Sequence, residues 1–361
     1  MGHASHSRSH SGANFAMADN RRLRILITRL TAIGDCILTV PVLTALRDHF
    51  PRAFIAWAIG RSAAPLLEGH AALDEIISLP GGWLKSPRTV WNLRRRLRQL
   101  EFDVAIDPQS LIKSAFVARL AGADHRIGFT GQHGRELSGL LNNELVANTR
   151  PHMVDRSVEL LRPLGIENPQ VRFDLPRYSA TEPSMNRFLR QHGLSRGFAL
   201  LNIGAGWPSK LWPDSSFAAL AHRLGCAHRL TSVVVWAGDE ELRRAREIVA
   251  TSPQHTVLAE PTSLVELATL ARQAAVFVGS DTGPLHLAAA VGTPCVGLYG
   301  PTRPEDCGPY GDQHIALQKH FQDGGHRERR RASNGAMQAI TVADVAAACE
   351  KILASSASNA A

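Results

Sequence analysis

Three short segments of the chain place acidic, basic and glycine residues directly after apolar runs. The first is TRLTAIGDCI (28–37), in which Asp35 follows a strand-like run and begins a helical pattern. A carboxylate at this position is either a helix cap or a general base that takes a proton from an attacking hydroxyl. Gly34 beside it permits close approach of the backbone to a ligand. Taken alone, the segment favours the cap.

The second segment is NIGAGWPSKLWP (202–213), a glycine-containing loop with Lys210 just before a predicted helix. Free backbone N–H groups at the start of a helix favour phosphate, and Lys210 would add a positive charge for the same group. The GxxxxGK[ST] spacing of a P-loop is absent. By itself this loop is a weak indication of phosphate binding.

The third segment is VFVGSDTGPLHLAAAVG (276–292). Asp281, Thr282 and Gly283 form a predicted turn after a strand, and His286 lies in the first turn of the helix that follows. A carboxylate, a hydroxyl, backbone N–H groups and an imidazole therefore gather at one helix N-terminus. Such a cluster suits a sugar diphosphate. A single histidine in an apolar helix is usually a core residue, but the adjacent turn favours a functional role here.

Weaker candidates lie elsewhere. Asp239 and Glu240 in WAGDEELRRA (236–245) start a predicted helix, where they either complement the helix dipole or bind ribose hydroxyls. Lys113 and Arg135 belong to the basic first half of the chain. Each is individually read as a surface charge, but several such residues converging on a cleft would form an anion-binding wall.

Apolar runs that alternate with helical patterns position these segments. Helices that separate strands in this way predict a parallel α/β sheet with right-handed crossovers. The polar, charged segment 319–336 is predicted to be an exposed loop. The predicted strands cover residues 23–30, 51–60, 74–80, 102–110, 198–206, 232–238, 256–260, 275–280 and 294–300.

The alternation restarts after the proline-containing segment 174–184, which is typical of a linker. Two successive α/β units of similar size then predict a two-lobed protein. Because ligands of such sheets bind beyond the carboxyl ends of the strands, the site is expected in the cleft between the lobes. The predicted division is a disordered tail (1–20), a first Rossmann-like domain (21–178), a second (179–340) and a C-terminal helix (341–361) that is free to cross back to the first.

The net charge of +8 is concentrated in the first half. Residues 21–178 hold 22 Lys and Arg against 15 Asp and Glu, whereas residues 179–361 hold 17 against 16. A basic half attracts nucleic acid, an acidic membrane surface or a phosphorylated acceptor. Nucleic acid is disfavoured, because only three Tyr are present and aromatic residues are not interleaved with the basic ones.

Composition also bears on the compartment. The five cysteines form no CxxC pair, which argues against a zinc ribbon or a disulfide framework and suits a reducing compartment. No apolar run reaches the roughly 18 residues needed to span a bilayer, and the polar start lacks the apolar core of a secretory signal. We therefore expect a cytoplasmic protein.

Four segments resemble the bacterial lipopolysaccharide heptosyltransferases, and together they span roughly residues 23–311. The family's nucleotide-sugar loop is similar to SDTGPLHLAAAVGTPCVGLYGPT, and its opening segment to TAIGDCILTVPVLTALRDHFP. Its middle motif resembles SKLWPDSSFAAL. The member that adds the first heptose to the inner core is most similar to IDPQSLIKSAFVARLAG.

The resemblance implies a GT-B glycosyltransferase, with two Rossmann-like domains whose mainly parallel sheets face each other across a cleft. It implies inverting transfer of heptose from ADP-heptose to a Kdo sugar on lipid A, with no cofactor and no metal. An acceptor of this kind implies peripheral association with the inner face of the plasma membrane. By the same resemblance Asp35 matches the catalytic base and Lys210 the lysine that contacts phosphate.

The remaining site residues are carried over in the same way. The donor loop matches Asp281, Thr282, Gly283 and His286, and the ribose contact matches Asp239 or Glu240, with an ambiguity of one residue. Lys113 and Arg135 match acceptor-side basic residues. Two alternatives stay open: a transferase or epimerase of the same fold that acts on another nucleotide sugar, and a non-catalytic sugar-nucleotide-binding protein. Product analysis with and without acceptor distinguishes an epimerase from a transferase.

Overall fold

The computed structural model describes residues 22–134, 136–195 and 197–360. Its strands form two six-stranded sheets, and neighbouring strands in the described ranges pair in parallel. The strands of the first sheet are β1 (Arg24–Thr28), β2 (Phe54–Gly60), β3 (Glu75–Leu79), β4 (Val104–Asp107), β5 (His125–Phe129) and β6 (Glu144–Val146). Those of the second are β7 (Ala199–Asn202), β8 (Ser232–Val235), β9 (Thr256–Leu258), β10 (Val276–Ser280), β11 (Cys295–Tyr299) and β12 (Ile315–Gln318).

Both sheets have the same strand order. The first runs β3-β2-β1-β4-β5-β6, and the second, read from its other edge, runs β9-β8-β7-β10-β11-β12. In each lobe the order reverses between the first and fourth strands, which is the doubly wound pattern of nucleotide-binding folds. We call β1–β6 with their helices the first lobe and β7–β12 with theirs the second lobe. The predicted α/β class with two parallel sheets is confirmed.

Helices connect the strands and cover the sheets. Those of the first lobe are α1 (Ile33–His49), α2 (Pro87–Gln99), α3 (Ile112–Ala121), α4 (Ser138–Leu141) and α5 (Met153–Glu159). The others are α6 (Glu182–Gln191), α7 (Asp214–His228), α8 (Gly238–Thr251), α9 (Leu264–Ala271), α10 (Gly283–Ala290), α11 (Pro304–Cys307), α12 (His326–Arg331), α13 (Gly335–Gln338) and α14 (Val342–Ala360).

The two lobes touch along α1 and α10, which pack directly against each other. Their apolar side chains belong to one buried cluster, which contains Ile37 of α1 and Leu287 of α10. Burial of such side chains from water supplies the main drive for the lobes to associate. The last helix, α14, packs on α7 and on strands β10–β12, where the sequence left open a crossing back to the first lobe.

Three strands lie outside the predicted set, and all three are at or next to a sheet edge: β5, β6 and β12. Edge strands are half exposed, so they lack the continuous apolar run that identifies a central strand. The segment predicted as an exposed loop, 319–336, is corrected in part, because it contains α12 and the first half of α13. No helix in the described ranges combines the length and the apolar character that crossing a membrane requires.

Candidate active site

The candidate residues follow the strands at which the sheet order reverses. Asp35 comes after β1 and Lys113 after β4, whereas Lys210 comes after β7 and Asp281 after β10. The carboxyl ends of such strands leave a crevice in which ligands bind. Each lobe therefore contributes two loops to its own crevice, and the packing of α1 on α10 brings the two crevices together.

On the first-lobe side, Asp35 is held by a buried arginine. A guanidinium nitrogen of Arg29 lies 2.5 Å from a carboxylate oxygen of Asp35, and the Asp35 side chain remains 37% exposed. Arg29 itself is 4% exposed and donates a 2.8 Å hydrogen bond to the carbonyl of Pro108. The arginine thus ties the base candidate to the β4 loop while one face of the carboxylate stays open to solvent.

Lys113 lies close to the same loop. Its Nζ donates to Thr31 Oγ1 at 3.3 Å, and Gln109 donates to that hydroxyl at 3.2 Å. The carboxamide oxygen of Gln109 accepts the N–H of Leu30 at 2.8 Å. The β1 and β4 loops are therefore joined by side-chain hydrogen bonds, with a cation at their rim. Arg135, the other acceptor-side candidate, lies outside the described residues.

On the second-lobe side, three candidates form one network. Lys210 Nζ lies 2.6 Å from Asp281 Oδ2 and 2.9 Å from the Asp281 carbonyl oxygen. His286 Nε2 lies 3.1 Å from Asp281 Oδ1. Burial alone would raise the pKa of Asp281, but the His286 hydrogen bond and the Lys210 charge outweigh it and hold that pKa well below its usual range. The acid is therefore ionised at neutral pH, although it is only 6% exposed.

The two sides meet across a single crevice. A Cβ placed on Gly34 would lie 2.6 Å from His286 Cδ2 and 3.5 Å from Gly283 Cα. A Cβ placed on Gly283 would in turn lie 3.3 Å from Cγ2 of Ile33. The residue before Asp35 is thus in contact with the residue that ends the Asp281-Thr282-Gly283 turn, which brings the acid close to the turn. Glycine at both positions allows this approach.

The lobes also touch at a second place, through two side-chain hydrogen bonds. His152 Nε2 lies 3.1 Å from the carbonyl oxygen of Gly308, and the Tyr310 hydroxyl donates to Asp155 at 2.8 Å. Burial lowers the pKa of His152, which favours the neutral ring. Both bonds join α5 of the first lobe to the segment that follows α11.

Both ribose candidates lie at the surface of the second lobe. Asp239 and Glu240 are exposed on the first turn of α8. Glu241, which the sequence analysis did not select, is the acid that turns inward. A Cβ on Gly204 would lie 2.2 Å from its Oε1, and its Oε2 accepts the N–H of Ala237 at 2.8 Å. Burial raises the pKa of Glu241, as expected for a carboxylate enclosed beside the β7 loop.

Two further residues escaped the sequence analysis. Arg29 lies near the end of the apolar run LRILITRL. A charged residue at the end of a buried strand is rarely buried without a partner, and this feature of the sequence could have identified it. Cys307 Sγ lies 3.7 Å from Asp281 Oδ1, and burial together with that negative charge raises its pKa well above the usual range. Nothing in the spacing of the cysteines predicted this contact. Cys307 is therefore a neutral neighbour of the donor-side acid.

Facing Rossmann-like lobes, with an exposed carboxylate on one side and a Lys–Asp–His network at a helix N-terminus on the other, define a GT-B type nucleotide-sugar transferase. Residues 90–336 match glycosyltransferase family 9 (heptosyltransferase). The chain belongs to this family and is a glycosyltransferase.

Individual relatives agree with this assignment. The chain is 30% identical over 307 residues to lipopolysaccharide heptosyltransferase 1 of Salmonella typhimurium, an alignment that covers 81% of this chain and 93% of that protein. The solved glycosyltransferase family 9 structure from Veillonella parvula superposes with a TM-score of 0.77 at 24% identity, covering 92% of this chain and 97% of that one. E. coli heptosyltransferase WaaC with ADP gives a TM-score of 0.72 at 24% identity, covering 91% and 100%. These two likenesses show the shared fold.

Proposed function

We propose that this glycosyltransferase moves heptose from ADP-heptose to a Kdo sugar of the lipopolysaccharide inner core, with inversion at the anomeric carbon. The observation that supports the proposal is the contact of Gly34 with His286, because it brings the residue before Asp35 against the helix that follows the donor turn. Two comparisons support the choice of substrates. The Salmonella relative is named a lipopolysaccharide heptosyltransferase, and an E. coli heptosyltransferase has been solved with ADP-2-deoxy-2-fluoro heptose.

In the proposed mechanism Asp35 is the general base. Its exposed carboxylate oxygen takes the proton of the attacking acceptor hydroxyl, and that oxygen bonds to the anomeric carbon as ADP leaves from the opposite face. Arg29 orients the carboxylate through the 2.5 Å ion pair. Positioned base catalysis contributes roughly 10²–10⁴-fold to rate.

The second lobe would stabilise the departing diphosphate. Negative charge builds up on the phosphate oxygens as the bond to the sugar breaks, and fixed cations and dipoles are most effective against such charge. Lys210 and the N-terminus of α10 supply them, with His286 as a further hydrogen-bonding group. Among the described residues the buried Nδ1 of His286 has no hydrogen-bond partner, and buried polar groups normally have one. With Nε2–H donating to the Asp281 carboxylate, Nδ1 of the neutral ring is an acceptor, and a hydroxyl group of the donor would satisfy it.

Glu241, and not Asp239 or Glu240, is the acid we assign to the ribose hydroxyls. It alone of the three is partly buried and faces the β7 loop through Gly204. The family resemblance matches the ribose contact to Asp239 or Glu240, with an ambiguity of one residue. The rotation of α8 favours Glu241, which is one position further along the helix. Lys113 and Arg135 remain the proposed contacts to the anionic acceptor.

Peripheral membrane association follows from the acceptor, which is a lipid. The basic helix α2 supplies a suitable surface, with Trp91 56% exposed and the guanidinium of Arg95 4.7 Å from its ring centre. Arg94 is exposed beside them. Tryptophan favours the membrane interface, and clustered arginines favour anionic lipid. Binding to anionic vesicles should weaken as salt rises and in Trp91→Ala, whereas salt-independent binding would contradict this surface.

The decisive test of the reaction is Asp35→Asn, which keeps the size of the side chain and one acceptor oxygen but removes the base. Turnover with ADP-heptose and a Kdo-lipid A acceptor should fall by roughly 10²–10⁴-fold, while calorimetric ADP affinity stays unchanged. The matched control is Asp48→Asn, because Asp48 pairs with Arg172 on the surface at the far end of α1. Undiminished turnover in Asp35→Asn would remove Asp35 from the mechanism.

The donor side is tested separately with Lys210→Ala. This variant should bind ADP more weakly in calorimetry, since it loses a cation directed at phosphate. Equal affinity would refute the phosphate role of Lys210. A screen of ADP-heptose, ADP-glucose and UDP- and GDP-sugars by thermal shift, followed by turnover with and without acceptor, then identifies the donor and separates transfer from epimerisation.

A further inference from the structure

Three side chains of metal-ligand type converge on the second lobe outside the crevice. His222 and Cys226 lie one turn apart on α7, and His255 directly precedes β9. Their nearest ligand atoms all lie within 4.8 Å of one another. Histidine and cysteine are the side chains that bind zinc most often, and two ligands at i and i+4 share one face of a helix. The cluster unites residues about thirty positions apart in sequence, which is why spacing alone did not predict it.

The two sulfur-to-nitrogen distances in the cluster match those between ligands of one ion. Cys226 Sγ lies 3.6 Å from His222 Nε2 and 3.5 Å from His255 Nε2. With zinc–sulfur and zinc–nitrogen bonds of about 2.3 and 2.0–2.1 Å, a tetrahedral angle separates sulfur from nitrogen by about 3.6 Å. One thiol proton can be donated to only one imidazole at a time, whereas a single cation would bond to all three groups.

The fold holds His255 in this position. Gly225 lies against its ring, so that a Cβ on Gly225 would be 2.2 Å from His255 Nδ1. The backbone of His255 is fixed as well, because its carbonyl accepts the N–H of Ser232 at 2.8 Å and its own N–H donates to Ser252 at 3.1 Å. The ring therefore packs directly against the backbone of α7 at Gly225, which has no side chain. His222 and Cys226, in contrast, are exposed and leave the cluster open to ions from solvent.

We infer that His222, Cys226 and His255 form a zinc site, with water as the fourth ligand. Binding replaces the thiol proton of Cys226, so one proton is released to solvent for each ion bound by that group. The ion would tie α7 to the connection between α8 and β9. His222 is eight residues from the start of α7 at Asp214, about 12 Å along the helix axis. The site is thus a structural one, separate from the sugar-transfer chemistry.

The test uses the full chain, reduced and freed of metal with a chelator that is then removed. Alkylation of each cysteine with N-ethylmaleimide is followed by peptide mass spectrometry, with and without added Zn²⁺. At a zinc concentration ten times the dissociation constant only about one site in eleven is free, so alkylation of Cys226 should slow about tenfold. The same time course with Mg²⁺ in place of Zn²⁺ serves as the reference, because Mg²⁺ prefers oxygen ligands and leaves the thiol of Cys226 free to react. With Co²⁺ in place of Zn²⁺, a thiolate-to-metal absorption band should saturate at one ion per chain.

Single variants make the assignment specific. His222→Gln should abolish the protection of Cys226, and His255→Gln should do the same. His228→Gln is the matched control, because His228 lies on the same helix but pairs with Glu350 at 3.8 Å. Both readouts report the Cys226 thiolate, so ions bound by the histidines at positions 3, 6 and 10 do not affect them. Two results would overturn the zinc site. One is an alkylation rate of Cys226 in the wild-type chain that does not change with Zn²⁺, and the other is protection of Cys226 that persists in His222→Gln.

Discussion

Adding one methyl group at Gly34 should separate the effect on catalysis from the effect on folding. In Gly34→Ala the new Cβ would lie 2.6 Å from His286 Cδ2, whereas carbon atoms in contact prefer about 3.5–4.0 Å. The His286 ring cannot simply turn aside, because it is buried and bonded to Asp281 at 3.1 Å. The remaining relief is a shift of about 1 Å between α1 and α10.

The expected magnitudes follow from this shift. Overpacking of a core costs typically 1–3 kcal/mol, and the gain in helix propensity from Gly to Ala offsets up to about 1 kcal/mol of it. The loss of unfolding free energy should therefore be about 0–2 kcal/mol. A misplacement of about 1 Å between reacting groups costs on the order of 10²-fold in rate. Turnover should thus fall far more than the loss of stability explains, while ADP affinity changes little.

The assay is transfer turnover at saturating donor and acceptor, with urea unfolding and ADP calorimetry on the same samples. Gly81→Ala is the control, because a Cβ there meets no atom within 4 Å. It should leave all three measurements unchanged. A Gly34→Ala variant that turns over within about twofold of the parent chain would refute the argument that the α1–α10 contact sets the distance between base and donor.

Three further predictions concern single residues. Arg29→Lys should lower turnover on the order of tenfold with ADP affinity unchanged, because lysine cannot bond to Asp35 and the β4 loop through a planar fork; full activity would show that Asp35 needs no such support. Glu241→Gln should weaken ADP binding about tenfold in calorimetry, and equal weakening in Glu240→Gln would contradict the assignment of the inner acid. Burial lowers the pKa of His314 to about 4 in the folded chain. Its contribution to stability is complete above about pH 6.5 and is lost as pH falls from 6.5 toward 4, because over that range the unfolded chain takes up the proton before the folded chain does. Between pH 7 and 5 the parent chain should therefore lose up to about 2 kcal/mol more unfolding free energy than His314→Gln, and identical pH profiles in urea unfolding would refute this.

The central strands could be predicted because they are buried on both faces and are nearly continuous apolar runs. In the VFVGS and VAID segments of β10 and β4 every residue is buried. The edge strand β6 has one buried residue in three, and β12 has none, so neither differs from a loop by composition. Burial on both faces is what periodicity detects, and an edge strand is identified only by its hydrogen bonds to a neighbour.

The same limit applies to the site. Asp35, Lys210, Asp281 and His286 could be selected because each follows a strand, and the order of the strands brings such loops together. The Arg29–Asp35 ion pair depends on a side-chain direction within one loop, and the selection of Glu241 over Glu240 depends on the rotation of one helix by a single residue. The residue types and their spacing in one segment specify neither the direction of a side chain nor the rotation of a helix. Both contacts become visible only when the crevice is formed.

Under the proposed function, Lys210 belongs to a donor side that is arranged before a donor arrives. Its ammonium has three N–H donors, of which two are directed to the carbonyl and the carboxylate of Asp281 at 2.9 and 2.6 Å. In the proposed mechanism the third is directed to a phosphate oxygen, with the ring centre of Trp207 4.6 Å from Nζ. Because the low pKa of Asp281 keeps this acid ionised, the cation is held in position by a fixed partner instead of by solvent. A diphosphate would then meet a cation and a helix N-terminus that need no reorganisation as charge develops, and such preorganisation is the main way in which an enzyme stabilises a leaving group.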